Sequence, residues 1–249
     1  MLFSKFVRKR SKLPSLPPGE RVYAIGDVHG RADLLARMIG MIEADVAGRD
    51  EALVHLIFLG DLIDRGPASA RVVEIVRALL DASQRVRLLK GNHEEIFVSA
   101  ARGCSKAARS LLGMGGYETL ESYGISREDA DLGTMQDLAD LLEKRIPEHH
   151  VNMLDRAEDM IVMGDYVFVH AGIRPGVHLD RQHGNDLRWI RRPFLEAQRN
   201  DGHVVIHGHT PTADIDYQSD RIGIDTGACY SGKLTALALE GAERWTLQT

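Results

Sequence analysis

Short apolar runs and longer amphipathic stretches alternate along the first hundred residues. "RVYAIG" reads as a buried strand, and "RADLLARMIGMIEADVA" carries Leu35, Ile39, Ile42 and Val46 at helical spacing. "LVHLIFLG" predicts a second strand and "ASARVVEIVRALLDA" a second helix. "RVRLLKG" predicts a third strand, with a helix beginning after "NHEE". Strands separated by helices indicate an α/β architecture with parallel pairing. Residues 100–158 lose the strand signal. They hold "GMGGYETLESYG" and then polar helical segments ("TMQDLADLLEKR", "EHHVNMLDRA"), read as a helical insertion over the active-site face. Beyond Asp159 the β pattern returns in "MIVMG", "DYVFVHAG", "HVVIHGH", "RIGIDTG" and "LTALALEG". Residues 20–249 are therefore expected to form a single domain, preceded by a basic flexible tail over residues 1–19.

The strands share an unusual ending. The first runs into Gly26-Asp27-Val28-His29-Gly30, the second into Gly60-Asp61-Leu62-Ile63-Asp64-Arg65-Gly66, and the third into Gly91-Asn92-His93-Glu94. Two later strands end in His170-Ala171-Gly172 and His207-Gly208-His209-Thr210. A single Asp after Gly is ordinarily a turn former or helix cap, and a single His is ordinarily a satisfied surface or core residue. Five strand ends bearing ligand-type residues are a different matter, because the carboxyl ends of parallel strands are where α/β sheets bind ligands.

The set mixes hard oxygens (Asp27, Asp61, Asn92) with imidazoles (His29, His170, His209) and contains no thiolate. Such donors suit Mn²⁺, Fe or Zn²⁺ better than Ca²⁺. Six protein ligands are many for one catalytic ion that must also hold water, so two divalent ions sharing a bridging carboxylate are expected. Arg65 beside them offers a fork for phosphate oxygens. His93, held protonated by a carboxylate such as Asp64, would be a general acid.

Charge and composition narrow the partners. The chain has 249 residues, is 44% hydrophobic and 27% charged, and carries a formal net charge of −5. Lys5, Arg8, Lys9, Arg10 and Lys12 stand in a stretch without acids, so the remainder is more acidic still. That balance argues against a nucleic-acid partner and suits a site that collects cations. Leu2, Phe3, Phe6 and Val7 could form a short amphipathic anchor, against the plainer reading of a frayed tail. No apolar run is long enough for a transmembrane segment, and the apolar core of a signal peptide is absent. Two cysteines, Cys104 and Cys229, give no disulfide framework, and a reducing, cytoplasmic compartment is expected. Oligomeric state is left open.

Together, "GDVHG", "GDLIDRG", "GNHE", "HAG" and "GHTP" resemble the signature of the calcineurin-like metallophosphoesterases. "DRG" and "GNHE" are similar to the serine/threonine protein phosphatase branch, especially its small bacterial and phage members. "LRWIRR" and "GIDTGACYSGKLTALALEG" look like that group's Trp-x-Arg segment and closing strands. The resemblance spans roughly residues 21–241. It implies an α-β-β-α sandwich, two mixed sheets flanked by helices. It implies Asp27 and His29 on one metal, Asp61 bridging, and Asn92, His170 and His209 on the other, with Mn²⁺ the expected ion. His93 would be the acid, paired with Asp64, and Arg65 and Arg191 would grip phosphate. Arg188 and Arg192 flank Arg191, so its register is open. His207 is read as a neighbour, because the second histidine some relatives use two places after His209 is Pro211 here.

The function expected from this likeness is hydrolysis of phosphoserine and phosphothreonine in a phosphoprotein or phosphopeptide. The alternative is symmetrical hydrolysis of a dinucleoside polyphosphate such as diadenosine tetraphosphate, with Tyr117 and Tyr123 as candidate stacking surfaces. A catalytically dead scaffold is disfavoured because every expected position is filled. "GACYSGKL" nearly matches a Walker A loop, but Leu234 replaces the final Ser/Thr, and a turn between strands is the better reading. Neither cysteine has an arginine six places on, so both are read as small packing residues.

Overall fold

The computed structural model describes residues 13–199 and 201–249. Its first sheet contains β1 (Glu20–Ile25), β2 (Leu53–Phe58), β3 (Val86–Leu88), β9 (Thr235–Glu240) and β10 (Glu243–Gln248), in the order β10-β9-β1-β2-β3. The second contains β4 (Met160–Met163), β5 (Tyr166–Val169), β6 (Val204–His207), β7 (Asp216–Tyr217) and β8 (Arg221–Gly223), in the order β4-β5-β6-β8-β7. β1, β2 and β3 run parallel, as do β5, β6 and β8. β9, β10, β4 and β7 pair antiparallel, so both sheets are mixed.

β1 sits at the centre of its sheet and is buried on both faces, which explains its unbroken apolar run. Val22 and Ala24 meet Ile57, Leu59, Tyr166, Phe168, Ile206 and Ile222 between the sheets. Tyr23 and Ile25 face the helices instead. These are α1 (Ala32–Ala47), α2 (Ser69–Ala82), α3 (Asn92–Ala101), α4 (Ser105–Gly113), α5 (Gly116–Ser122), α6 (Arg127–Asp131), α7 (Met135–Arg145) and α8 (Glu148–Asp155). The outer face of the second sheet is covered by α9 (Gly184–Trp189) and the chain after it, through Leu187, Ile190 and Phe194. The result is the α-β-β-α layering anticipated above.

Three local features differ from the pattern reading. Residues 14–18 are not free tail. Leu16 is buried between the sheets, its N–H bonds the Gly241 carbonyl, and Ser15 exchanges bonds with Asp165. The more basic stretch before Leu13, including the proposed anchor, lies outside the described residues. β10 carries only a half-buried apolar stripe at a sheet edge, too weak a signal to stand out. The helices of residues 105–155 pack beside α2 and α3 rather than across the strand ends, and extend the helical layer. Only the turn between α4 and α5 and the first part of α5 reach the strand-end rim, where Gly115 O accepts from Arg65 N–H.

Candidate two-metal site

All six parallel strands end at one rim. Among the described residues, the only non-glycine positions with left-handed backbone are His29, Asp61, Asp64, Arg65 and His209. Each is a site residue from the sequence reading. Such φ values cost on the order of 1 kcal/mol or more per residue and persist where the surroundings over-determine them. Here the chain must reverse sharply after each strand while aiming a side chain back across the rim. Two glycines make that crowding possible. A Cβ at Gly91 would stand 2.1 Å from Asp61 Oδ1, and one at Gly208 would stand 2.0 Å from Asp27 Oδ1.

The side chains gather in two groups that share Asp61. In the first, His29 Nε2 and His93 Nε2 stand 3.7 and 3.8 Å from Asp61 Oδ2. The Arg65 guanidinium lies against both rings, with Nη1 2.8 Å from His29 Nε2 and Nη2 3.1 Å from His93 Nε2. In the second, His170 Nε2 lies 3.0 Å from Asn92 Oδ1, 3.2 Å from His209 Nδ1 and 3.4 Å from Asp61 Oδ1. Asp27 stands outside the close His29–Asp61–His93 triangle. Its oxygens receive the His209 N–H at 3.0 and 3.2 Å. Asp27 is thus held by the His209 N–H and lies beside Asp225.

The chemistry of these atoms fits divalent cations. His29 Nδ1 donates to Ile63 O (2.7 Å) and His170 Nδ1 to Leu59 O (2.8 Å), so the Nε2 atom of each ring is turned into the site. Electron-pair donors thus converge from several sides, and Arg65 brings a positive charge to the first group. In the second, burial alone would lower the His170 pKa, but the charge and hydrogen bond of Asp61, with Glu94 and the Leu59 carbonyl, together outweigh burial and raise it. The same pairing holds Asp61 well below the usual carboxylate range, against its burial. Burial pushes His29 and His209 down to about 3, so both stay neutral and able to ligate. Asp27 is pushed up, first by burial and then by Asp225 and Asp61, which marks an excess of negative charge that a cation would relieve.

A second ring of residues fixes the first. His93 Nδ1 bonds Asp64 Oδ2 at 2.6 Å. Burial opposes the His93 imidazolium, but Asp61 and Asp64 outweigh it and raise its pKa. Asp64 Oδ1 accepts from Thr119 Oγ1 (2.7 Å), and Thr119 Oγ1 in turn accepts from the Asp64 N–H (2.8 Å). Glu94, fully buried, accepts from the N–H groups of Asp61, Leu62 and Gly91 at 2.8–2.9 Å. Arg191 reaches the rim, with Nη2 3.3 Å from His209 O, while Arg188 turns to Glu95 and Asp159 and Arg192 to Glu196. Of these three arginines, Arg191 is therefore the one directed at the rim. His207 turns away from the site, its ring 5.2 Å from Phe194 and Nδ1 on Gly208 O.

Sequence reasoning passed over Glu94, Asp225 and Thr119. Glu94 stood in the quoted "GNHE", and Asp225 follows β8 as Asp27 follows β1. Thr119 had no signal, since only folding brings α5 to Asp64. The cysteines are not packing residues: Cys104 is exposed, and Cys229 is half-buried against Arg65. In a separate cluster on α2 and α8, Glu74 with His149 and His150, Arg77 engages Glu74 and Tyr123 engages His150.

A sandwich with His and Asp side chains placed for two metals at its strand-end rim is the architecture of a dimetal hydrolase. The chain belongs to the calcineurin-like phosphoesterase family, whose profile matches residues 20–237. It is 29% identical over 237 residues to the asymmetrical bis(5'-nucleosyl)-tetraphosphatase PrpE of Anoxybacillus flavithermus, covering 86% of this chain and 88% of that protein. The PrpE of Bacillus subtilis is 30% identical over 232 residues, covering 85% and 87%. A crystal structure provisionally assigned as a diadenosine tetraphosphatase superposes with a TM-score of 0.64 at 20% identity, covering 95% of this chain and 98% of that one.

These relatives overturn the expectation of a phosphoserine/phosphothreonine phosphatase with a phosphoprotein partner. The physical reason lies in what the motifs touch. "GDVHG", "GDLIDRG" and "GNHE" supply side chains suited to metals and a phosphoryl group, which both substrate classes would require, and nothing in them reads what lies beyond the phosphate. Among the described residues, no helix is long and apolar enough to cross a membrane.

Proposed function

We propose that the chain hydrolyses dinucleoside polyphosphates of the bis(5'-nucleosyl) tetraphosphate class, cleaving them unequally into a mononucleotide and a nucleoside triphosphate. The observation that carries this reading is the similarity to two tetraphosphatases along some 85% of the chain. Unequal cleavage departs from the symmetrical products of the sequence-based alternative and follows the relatives' designation.

Asp27, His29 and Asp61 would hold one divalent ion, and Asp61, Asn92, His170 and His209 the other, with Mn²⁺ favoured and Fe or Zn²⁺ compatible with the donors. Such ions supply Lewis acidity and a water deprotonated near neutral pH. The chain's own part begins with Arg65. Its guanidinium now rests on two imidazoles, and a phosphate oxygen offers a stronger, charge-assisted partner. Moving to that oxygen exposes His29 Nε2 and frees His93 Nε2 to carry a proton. Arg191 approaches from the second sheet and adds positive charge for the equatorial oxygens. His93 then delivers its proton to the departing oxygen, while Asp64, locked by Thr119, keeps the ring aimed.

Metal-stripped protein restored with Mn²⁺ should convert diadenosine tetraphosphate to AMP and ATP in equal amounts, resolved by ion-exchange chromatography. Two ADP, or no turnover of the dinucleotide beside turnover of a simple phosphomonoester, would refute the reading.

A further inference from the structure

We propose that Tyr230 is the platform on which the nucleobase next to the attacked phosphate stacks. The inference rests on the dinucleotide reading above and names the residue that distinguishes a nucleotide from a bare polyphosphate. Tyr230 lies on α10 (Ala228–Ser231), the single turn joining β8 to β9. Tyr230 is 74% exposed, the highest value among the large apolar or aromatic residues described. The Arg65 guanidinium stands 5.9 Å from the ring centroid. A nucleotide separates its base from its first phosphate by one ribose, so a phosphate held by Arg65 brings its own base to this ring.

The turn that carries Tyr230 is braced. Gly227 and Gly232, both left-handed, bound it. Gly227 N–H donates to Asp225 Oδ1 (2.9 Å), Ser231 Oγ donates to Thr226 O (2.7 Å), and Arg31 Nη1 donates to Ala228 O (3.0 Å). An exposed aromatic held this firmly is presented at little cost in ordering upon binding. The other candidate rings are committed. Tyr123 packs on Phe97 and bonds His150, and Tyr117 bonds Asp131 beneath Arg127. Tyr230 makes no side-chain hydrogen bond among the described residues. A base has a π face whatever its identity, so the platform is expected to accept adenine and guanine alike.

The test compares the Mn²⁺-loaded wild type with Tyr230→Ala and Tyr230→Trp on diadenosine tetraphosphate. Inorganic tripolyphosphate, with free metal in excess, serves as a base-free competitive inhibitor. Tyr230→Ala should raise KM about tenfold, the size of one lost base–aromatic stack, and change kcat less. Tyr230→Trp should restore KM to within about twofold. The tripolyphosphate inhibition constant should stay within about twofold throughout, since it has no base to stack. An unchanged KM in Tyr230→Ala, a matching loss of tripolyphosphate affinity, or failure of Trp to restore binding would each overturn the proposal. Wild type inert towards the dinucleotide but active on p-nitrophenyl phosphate would instead overturn the functional reading beneath it.

Discussion

At the scale of single residues, the site is a set of side chains held in costly backbone conformations so that few solutions remain. His93 illustrates what this achieves. Its Nδ1 is committed to Asp64, so only Nε2 can serve the reaction. A proton donor matters in proportion to the basicity of the leaving oxygen. His93→Asn should therefore steepen the dependence of kcat on leaving-group pKa across a series of substituted phenyl phosphates. The loss should reach about 10² or more for phenol and be smaller for p-nitrophenol. A parallel downward shift across the series would remove the acid role. The anhydride of a dinucleotide, with a weakly basic leaving oxygen, belongs with the less affected substrates. The ligand-type residues were legible in sequence because each repeats one signal, a carboxylate, amide or imidazole beside a glycine at a strand end. Tyr230 was not, because it sits in a segment read as a turn, and only its placement beside Arg65 gives it meaning.

At the scale of elements, strands supply the donors and helices the restraint. α5 comes from a stretch with no strand signal, yet it anchors Asp64 through Thr119. The helices themselves were readable from their period; their docking on α2 and α3 was not, since it depends on which apolar stripes meet. Thr119→Val keeps the shape and removes both bonds, leaving the buried Asp64 carboxylate short of a donor, at a cost of about 1–3 kcal/mol. Burial already holds the Asp64 pKa up, and losing the Thr119 hydroxyl should raise it further. A less ionised Asp64 supports the His93 imidazolium less. The basic limb of the kcat–pH profile, where His93 gives up its proton, should move to lower pH, with kcat reduced several-fold. A fall in Tm with an unmoved profile would reduce Thr119 to a packing residue.

At the scale of the whole molecule, the site is the seam of the sandwich: Asp27, Asp61, Asn92 and His93 come from the first sheet, and His170, His209 and Asp225 from the second. Layering was legible because strand and helix periods alternate; the partition into two sheets was not, because β6 and β2 look alike until paired. The buried histidines whose pKa burial lowers, His29, His207 and His209, should make the molecule acid-sensitive. His207 is the cleanest case, since it lies off the metal groups, and burial pushes it down to about 4. In the unfolded chain a histidine titrates near 6.5. Between those values the unfolded state binds the proton and the folded state does not, so stability falls as pH drops from about 6.5 towards 4. By pH 5 this one ring should cost about 2 kcal/mol relative to pH 7. In chelator-treated protein, urea unfolding at pH 7 and pH 5 should therefore show a larger loss in wild type than in His207→Gln, which has no proton to gain. The fixed difference at pH 7 reports packing against Phe194. Only the change between the two pH values reports titration, and equal changes in the two proteins would show that His207 does not contribute to acid sensitivity.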